Sequence, residues 1–305
     1  MKNSLIAASL MALSLAITAA VPAQAQEEAA APEAMAETVD VDPALWVVKD
    51  EDTTIYLFGT IHILKPGLSW FDEAVKDAFN ASDELVLEII EPDPASMQTL
   101  VMTKAVDPGN PLRDQLSEEQ KATYDTAMKS IGLPVAAFDQ FEPWFAAINL
   151  GLLPLLQAGY DVNSGAEKVL AEEATAAEKT VIQLETPEQQ LSFFDTLPKE
   201  SQINYLLVTA QSIDEIPEQI DSMVTSWGDA DIEQLGEMMN AGFTDKVLYD
   251  TLLTKRNANW AAWIDARMEQ PGTVFIAVGA GHLAGETSVQ AKLAEREIVT
   301  TRIEY

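Results

Sequence analysis

The chain has 305 residues, with 49 Asp and Glu against 18 Lys and Arg and a formal charge of −31. Phosphate neutralisation needs clustered bases, so this balance excludes nucleic acid as a partner and disfavours an anionic membrane surface. With no Cys there is no disulfide framework, thiolate metal site or cysteine nucleophile, and the 2 His confine imidazole chemistry to His62 and His282.

In chain order, residues 1–25 read as a secretory signal: Lys2, an apolar stretch from Leu5 to Ala20, then the cleavage pattern Ala23-Gln24-Ala25. This implies a periplasmic or secreted protein with no stable membrane insertion after cleavage. Residues 26–43 are rich in Ala, Glu and Pro and read as a flexible acidic linker. A folded domain is expected over 44–305.

That domain opens near Leu45-Trp46-Val47-Val48. Thr54 to Phe58 is a continuous β-prone run ending at Gly59, as a buried strand does. The spacing of Phe71, Val75, Ala78 and Phe79 predicts a helix over 70–80. A second strand is predicted over 84–90, stopped by Glu91-Pro92. The middle reads as mostly helical: 117–131, with the capping-box pair Ser117 and Gln120, then 143–158, 164–177 and 187–207. A short strand over 180–184 interrupts it, and helices follow over 232–240 and 247–268. Thr273 to Val278 is the clearest strand and ends at Gly279, before a helix over 288–296 and a last strand over 298–305. The sum is an α/β protein: a mixed sheet core flanked by helices, with a helical insertion at about 100–250 as cap or subdomain.

The chemistry gathers at two strand ends. Gly59-Thr60-Ile61-His62 and Gly279-Ala280-Gly281-His282 each follow a predicted buried strand. Ligands in open α/β sheets bind beyond the carboxyl ends of the strands, and glycine allows the sharp turn and close approach needed there. Two such histidines could share a metal or act as a base and its orienter. Glu88 stands in an otherwise apolar run, where a charge is costly unless paired or functional; alternation with Glu84 on a solvated face is its other reading. Glu185 ends a strand and Asp161 follows a helix. Arg256 lies on an apolar helix, to grip a substrate carboxylate, to pair with a site acid, or to serve as a surface partner. No Gly-x-Ser-x-Gly elbow, phosphate loop or His-Glu-x-x-His motif is present, and no third glycine completes a dinucleotide fingerprint after Gly279-x-Gly281.

These motifs resemble the TraB/GumN family, which includes the Tiki metalloproteases and is related in fold to erythromycin-esterase-like and ChaN-like proteins. The resemblance rests on Tyr56 to Leu64, Pro66-Gly67 and Glu84 to Glu88 at one end and Val278 to Gly285 at the other. Pro143-Trp144, Gly159-Tyr160-Asp161, Leu184-Glu185-Thr186 and Arg256-Asn257 match between them. Asn163-Ser164-Gly165 departs from the more apolar helix start expected there. The resemblance implies a mixed α/β fold in which the two Gly-x-x-His motifs meet. For the Tiki branch it implies divalent-metal-dependent peptide hydrolysis by two His and a Glu. His62, His282 and Glu88 would inherit those roles, with Mn, Co or Zn as the metal. Arg256 would hold the substrate, and Gly59, Gly279 and Gly281 would shape the site. The expectation is thus a metal-dependent hydrolase, peptidase-like, acting on a peptide or other small substrate. A periplasmic protein that binds metal or haem without turnover is the alternative.

Overall fold

The computed structural model describes residues 38–243 and 245–305, leaving aside the side chains of residues 240 and 242. The expected signal and most of the expected linker lie outside these residues. The described end of the linker is paired: β1 (Val39–Asp40) runs parallel to β4 (Leu68–Ser69).

The centre is a six-stranded mixed sheet in the order β6-β5-β7-β3-β2-β8. Its members are β2 (Leu45–Lys49), β3 (Thr53–Thr60), β5 (Glu84–Leu87), β6 (Thr180–Gln183), β7 (Gly272–Gly279) and β8 (Thr301–Ile303). β6, β5, β7 and β3 are parallel, and β2 alone runs against its two neighbours. Near-continuous apolar runs mark strands buried on both faces, and Leu57, Phe58, Val274 and Phe275 are at most 1% exposed.

Alternation along β3 and β7 sends side chains to two cores. Ile55, Leu57, Val274 and Ile276 pack with Trp260, Ile264 and Leu293, beneath the helices Lys255–Arg267 and Val289–Ala294. Phe58, Phe275, Leu85 and Leu87 pack into the larger core with the middle helices, through Trp70, Trp144, Tyr205 and Trp227. The result is an α/β fold of three layers. No helix among the described residues is long and apolar enough to cross a membrane.

Local signals explain most boundaries. Ser117 and Gln120 form the expected capping box on Glu118–Ser130. The helix expected over 187–207 is two helices, Pro187–Asp195 and Lys199–Gln211. Pro198 lacks an N–H and disfavours helical backbone at Leu197, so the first helix ends before it. The helix expected over 247–268 contains a π segment, Asp250–Thr254, just before Arg256. Two helices went unpredicted: Pro94–Lys104, capped by Asp93, which carries no clear periodic signal, and Ile216–Gly228, whose Ile216, Ile220, Met223 and Trp227 do form one buried face.

Candidate functional site

The carboxyl ends of β5, β7 and β3 lie side by side. A cleft of about 70 Å³ opens there, floored by Thr60, Leu87 and Ala277 and walled by His62, Glu88 and Glu167. Gly279, at the end of β7, lies behind two of the lining side chains, His62 and Glu88. A Cβ at that position would stand 3.2 Å from Glu88 Oε1, 3.3 Å from His62 Nε2 and 3.6 Å from His282 Cδ2. Glycine is therefore what lets these three side chains converge on the end of β7.

Glu88 directly follows β5 and is buried. Its Oε1 accepts from the Gly279 N–H at 2.7 Å. Its Oε2 accepts from Arg256 Nη2 at 2.6 Å and Gln190 Nε2 at 3.0 Å. Burial opposes its ionisation, but Arg256 above all, with the Gly279 N–H, outweighs it and holds the carboxyl down at about 2. The solvated-face reading of Glu88 is excluded by its 4% exposure. Glu185 continues the ladder beyond β6, its N–H donating to the Glu88 carbonyl at 2.9 Å.

Arg256 is 2% exposed and uses every donor it has. Nε donates to Glu185 Oε1 at 2.9 Å, and Nη2 is shared between Glu88 Oε2 and Glu185 Oε2. Nη1 donates to the Leu252 carbonyl at 3.2 Å and faces His282 Nε2 at 3.1 Å. The carbonyl of Leu252 is presented by the π segment, a distortion often found beside functional sites. A role in gripping a substrate carboxylate is thereby corrected: the guanidinium is committed to two buried carboxylates beneath the cleft. Trp260 stacks beside it and donates from Nε1 to Glu185 Oε1 at 3.1 Å.

The two histidines differ. A guanidinium is only a donor, so His282 Nε2 accepts, and its Nδ1–H donates to Asn257 Oδ1 at 2.5 Å. Burial and then Arg256 push its pKa well below 6.5, so the ring is neutral. His62 instead meets Glu167 Oε1 through Nδ1 at 2.9 Å. Burial lowers its pKa, but Glu167 and then Glu88 outweigh that and raise it above 6.5. Glu167 lies in the first turn of the helix Ala166–Ala176. Gly165 brings that helix in: a Cβ there would lie 2.4 Å from the His62 carbonyl oxygen. The departure at Asn163-Ser164-Gly165 is thus the close approach that lets Glu167 reach His62.

The remaining expected residues fall outside the cleft. Gly59 serves packing, since its Cβ would stand 3.0 Å from Ala280 Cα, and its carbonyl accepts from Trp227 Nε1 at 2.7 Å. Gly281 lies in the short turn Ala280–Leu283 that carries His282. Asp161 caps the next turn by accepting from the Asn163 N–H at 2.8 Å. Glu167, Gln190, Asn257 and Trp260 had no assigned role in the sequence reading. An acid in a first helical turn reads as ordinary dipole complementarity, so nothing local marks Glu167.

The set His62, His282 and Glu88 converges but does not fit a metal as arranged. The His282 Nε2 lone pair faces a guanidinium, and both Glu88 oxygens are engaged by the Gly279 N–H, Arg256 and Gln190. No group of three or more His, Asp or Glu is placed to hold a metal among the described residues.

The fold and the paired strand-end histidines define an α/β protein with a buried charge network under a small cleft. The chain matches the TraB/PrgY/gumN family over residues 44–302 and belongs to it. An uncharacterised protein of Treponema pallidum (strain Nichols) is 20% identical over 273 residues, covering 83% of this chain and 81% of its own. The uncharacterised protein YbaP of Escherichia coli (strain K12) is 24% identical over 252 residues, covering 82% of this chain and 92% of its own. YbaP of Shigella flexneri is similar to the same extent. No solved structure matches the chain.

Proposed function

We propose that this protein is a periplasmic or secreted hydrolase that activates water at His62 to cleave a peptide or related acyl bond. The carrying observation is the His62–Glu167 pair at 2.9 Å, with the other ring nitrogen turned to Glu88 and Gly279 at the cleft. A carboxylate on Nδ1 fixes the tautomer and stabilises the imidazolium that forms when Nε2 takes a proton. The proton passes from water to Nε2, the hydroxide attacks the carbonyl carbon, and the leaving amine or alcohol takes the proton back. Glu88, Arg256, Glu185 and neutral His282 form the rigid buried network beneath the cleft that keeps His62 in register.

Metal dependence is the second reading, favoured by the approach of His62 Nε2 and Glu88 Oε1 to one point over Gly279. It requires Arg256 to leave His282 and Glu88. The resemblance to Tiki proteins favours peptides as the first substrates, and the signal expected over residues 1–25 favours substrates in the bacterial envelope or beyond.

Cleavage of a broad peptide library by the purified chain, before and after EDTA, tests both readings. The expected result is activity that survives EDTA and falls about 1,000-fold in His62→Ala with the fold intact. Activity abolished by EDTA and restored by Mn, Co or Zn replaces the first reading with the second. Full activity in His62→Ala overturns both.

A further inference from the structure

Thr60 presents an anomaly in this site. It is 1% exposed, lines the cleft beside His62, Glu88 and Glu167, and its hydroxyl has no protein partner. Other threonines of the chain show how unusual this is. Thr53, at the opposite end of β3, donates to the Gln270 carbonyl at 3.0 Å. Thr209, equally buried in a helix, donates to the Tyr205 carbonyl at 2.9 Å. A buried hydroxyl left without a partner costs about 1–3 kcal/mol. Valine has the same shape and strand preference without that cost, so packing alone does not call for threonine.

The position of Thr60 identifies what the hydroxyl meets. It ends β3, in register with Gly279 of β7, the residue over which His62 Nε2 and Glu88 Oε1 converge. On the alternating pattern it shares the cleft-side face with Phe58, as Ala277 shares it with Phe275. Leu87 and Ala277 complete the floor and offer no polar side-chain atom. The cleft has room for only a few water-sized groups, and a water needs two or more polar partners to stay there. Thr60 on the floor and His62 on the wall supply them.

We propose that Thr60 is a catalytic residue whose hydroxyl holds the attacking water against His62. The inference rests on the hydrolase reading above and names a second group of the same site. The hydroxyl accepts a hydrogen bond from the water, or donates one to its oxygen, and so aims an oxygen lone pair at the substrate carbonyl while His62 removes a proton. Thr60 itself gains and loses no bond.

The test compares Thr60→Val and Thr60→Ser in the full chain, with His62→Ala assayed on the same peptide. Thr60→Val is expected to lose about 100-fold in kcat with KM unchanged, and to melt no lower than the parent. Thr60→Ser is expected to keep kcat within a few-fold. Parental kcat in Thr60→Val, beside an inactive His62→Ala, overturns this inference and leaves the hydrolase reading standing. Equal losses in Val and Ser with lower melting temperatures also overturn it, since they show a packing role. Full activity in His62→Ala removes the reading on which it rests. A crystal structure gives a readout that needs no substrate. A water within hydrogen-bonding distance of both Thr60 Oγ1 and the His62 ring is expected, and a hydroxyl satisfied instead by protein atoms overturns the proposal.

Discussion

The two Gly-x-x-His motifs begin alike and end in opposite chemistry. Each closes a parallel strand of the same sheet, and the two strands are neighbours. His62 ends at the wall of the cleft with a carboxylate on Nδ1, and its pKa is raised. His282 is fully buried, holds an amide oxygen on Nδ1, faces a guanidinium through Nε2, and is neutral. A shared sequence pattern therefore sets where a histidine stands, while the side chain placed against it decides whether its pKa is raised or lowered.

The sharpest way to break this division is to remove the group that imposes it. Arg256→Ala leaves Glu88 and Glu185 buried without a counter-charge, and a loss of about 3–5 kcal/mol is expected in urea unfolding. A loss below 1 kcal/mol means that the floor of the cleft is wet and that His282 is not held by Arg256. Next in size, His282→Ala removes a ring packed 4.3 Å from Trp260, together with its bond to Asn257. A cost of about 2–3 kcal/mol is expected, seen as a lower denaturant midpoint. His62→Ala, measured above the folded His62 pKa where its charge no longer stabilises the fold, is expected to lower that midpoint less than His282→Ala does, and similar losses from both substitutions erase the comparison.

The smallest expected effect is the most specific. Glu167→Gln keeps the shape of the dyad but removes the charge that raises the His62 pKa. A base works when deprotonated, so kcat/KM in the parent climbs with pH through a midpoint above 6.5. In Glu167→Gln that midpoint moves down, with about tenfold lower activity on the plateau. The same raised pKa stabilises the fold below pH 6.5, and that contribution is lost as pH rises through the folded value. A pH profile unmoved by Glu167→Gln shows that another group supplies the titration.

Much of the frame was legible in the chain. The apolar runs ending at Gly59 and Gly279 are β3 and β7, and His62, His282 and Glu88, named together from the resemblance, converge at the end of β7. Glu185 and Arg256 were candidates, and both stand in that site. The places where the reading fell short are equally particular. Pro198 splits a helix that periodicity joins, and the π segment at Asp250–Thr254 has no pattern of its own.

What the sequence by itself determined is local: which runs are buried strands, where glycine ends them, and which residues follow at fixed spacing. Hydrophobic periodicity and backbone sterics act over a few residues, so a single chain carries them openly. Partnership belongs to the tertiary structure. Glu167 reaches His62 because Gly165 lets a helix start against its carbonyl. Arg256 meets Glu88, Glu185 and His282 because the helix Lys255–Arg267, packed along one face of the sheet, begins beside the carboxyl ends of β5, β6 and β7. Those meetings fix the charge of each histidine and use up the donors of Arg256. They depend on electrostatics at a few ångströms between residues far apart in the chain, a distance that only folding sets.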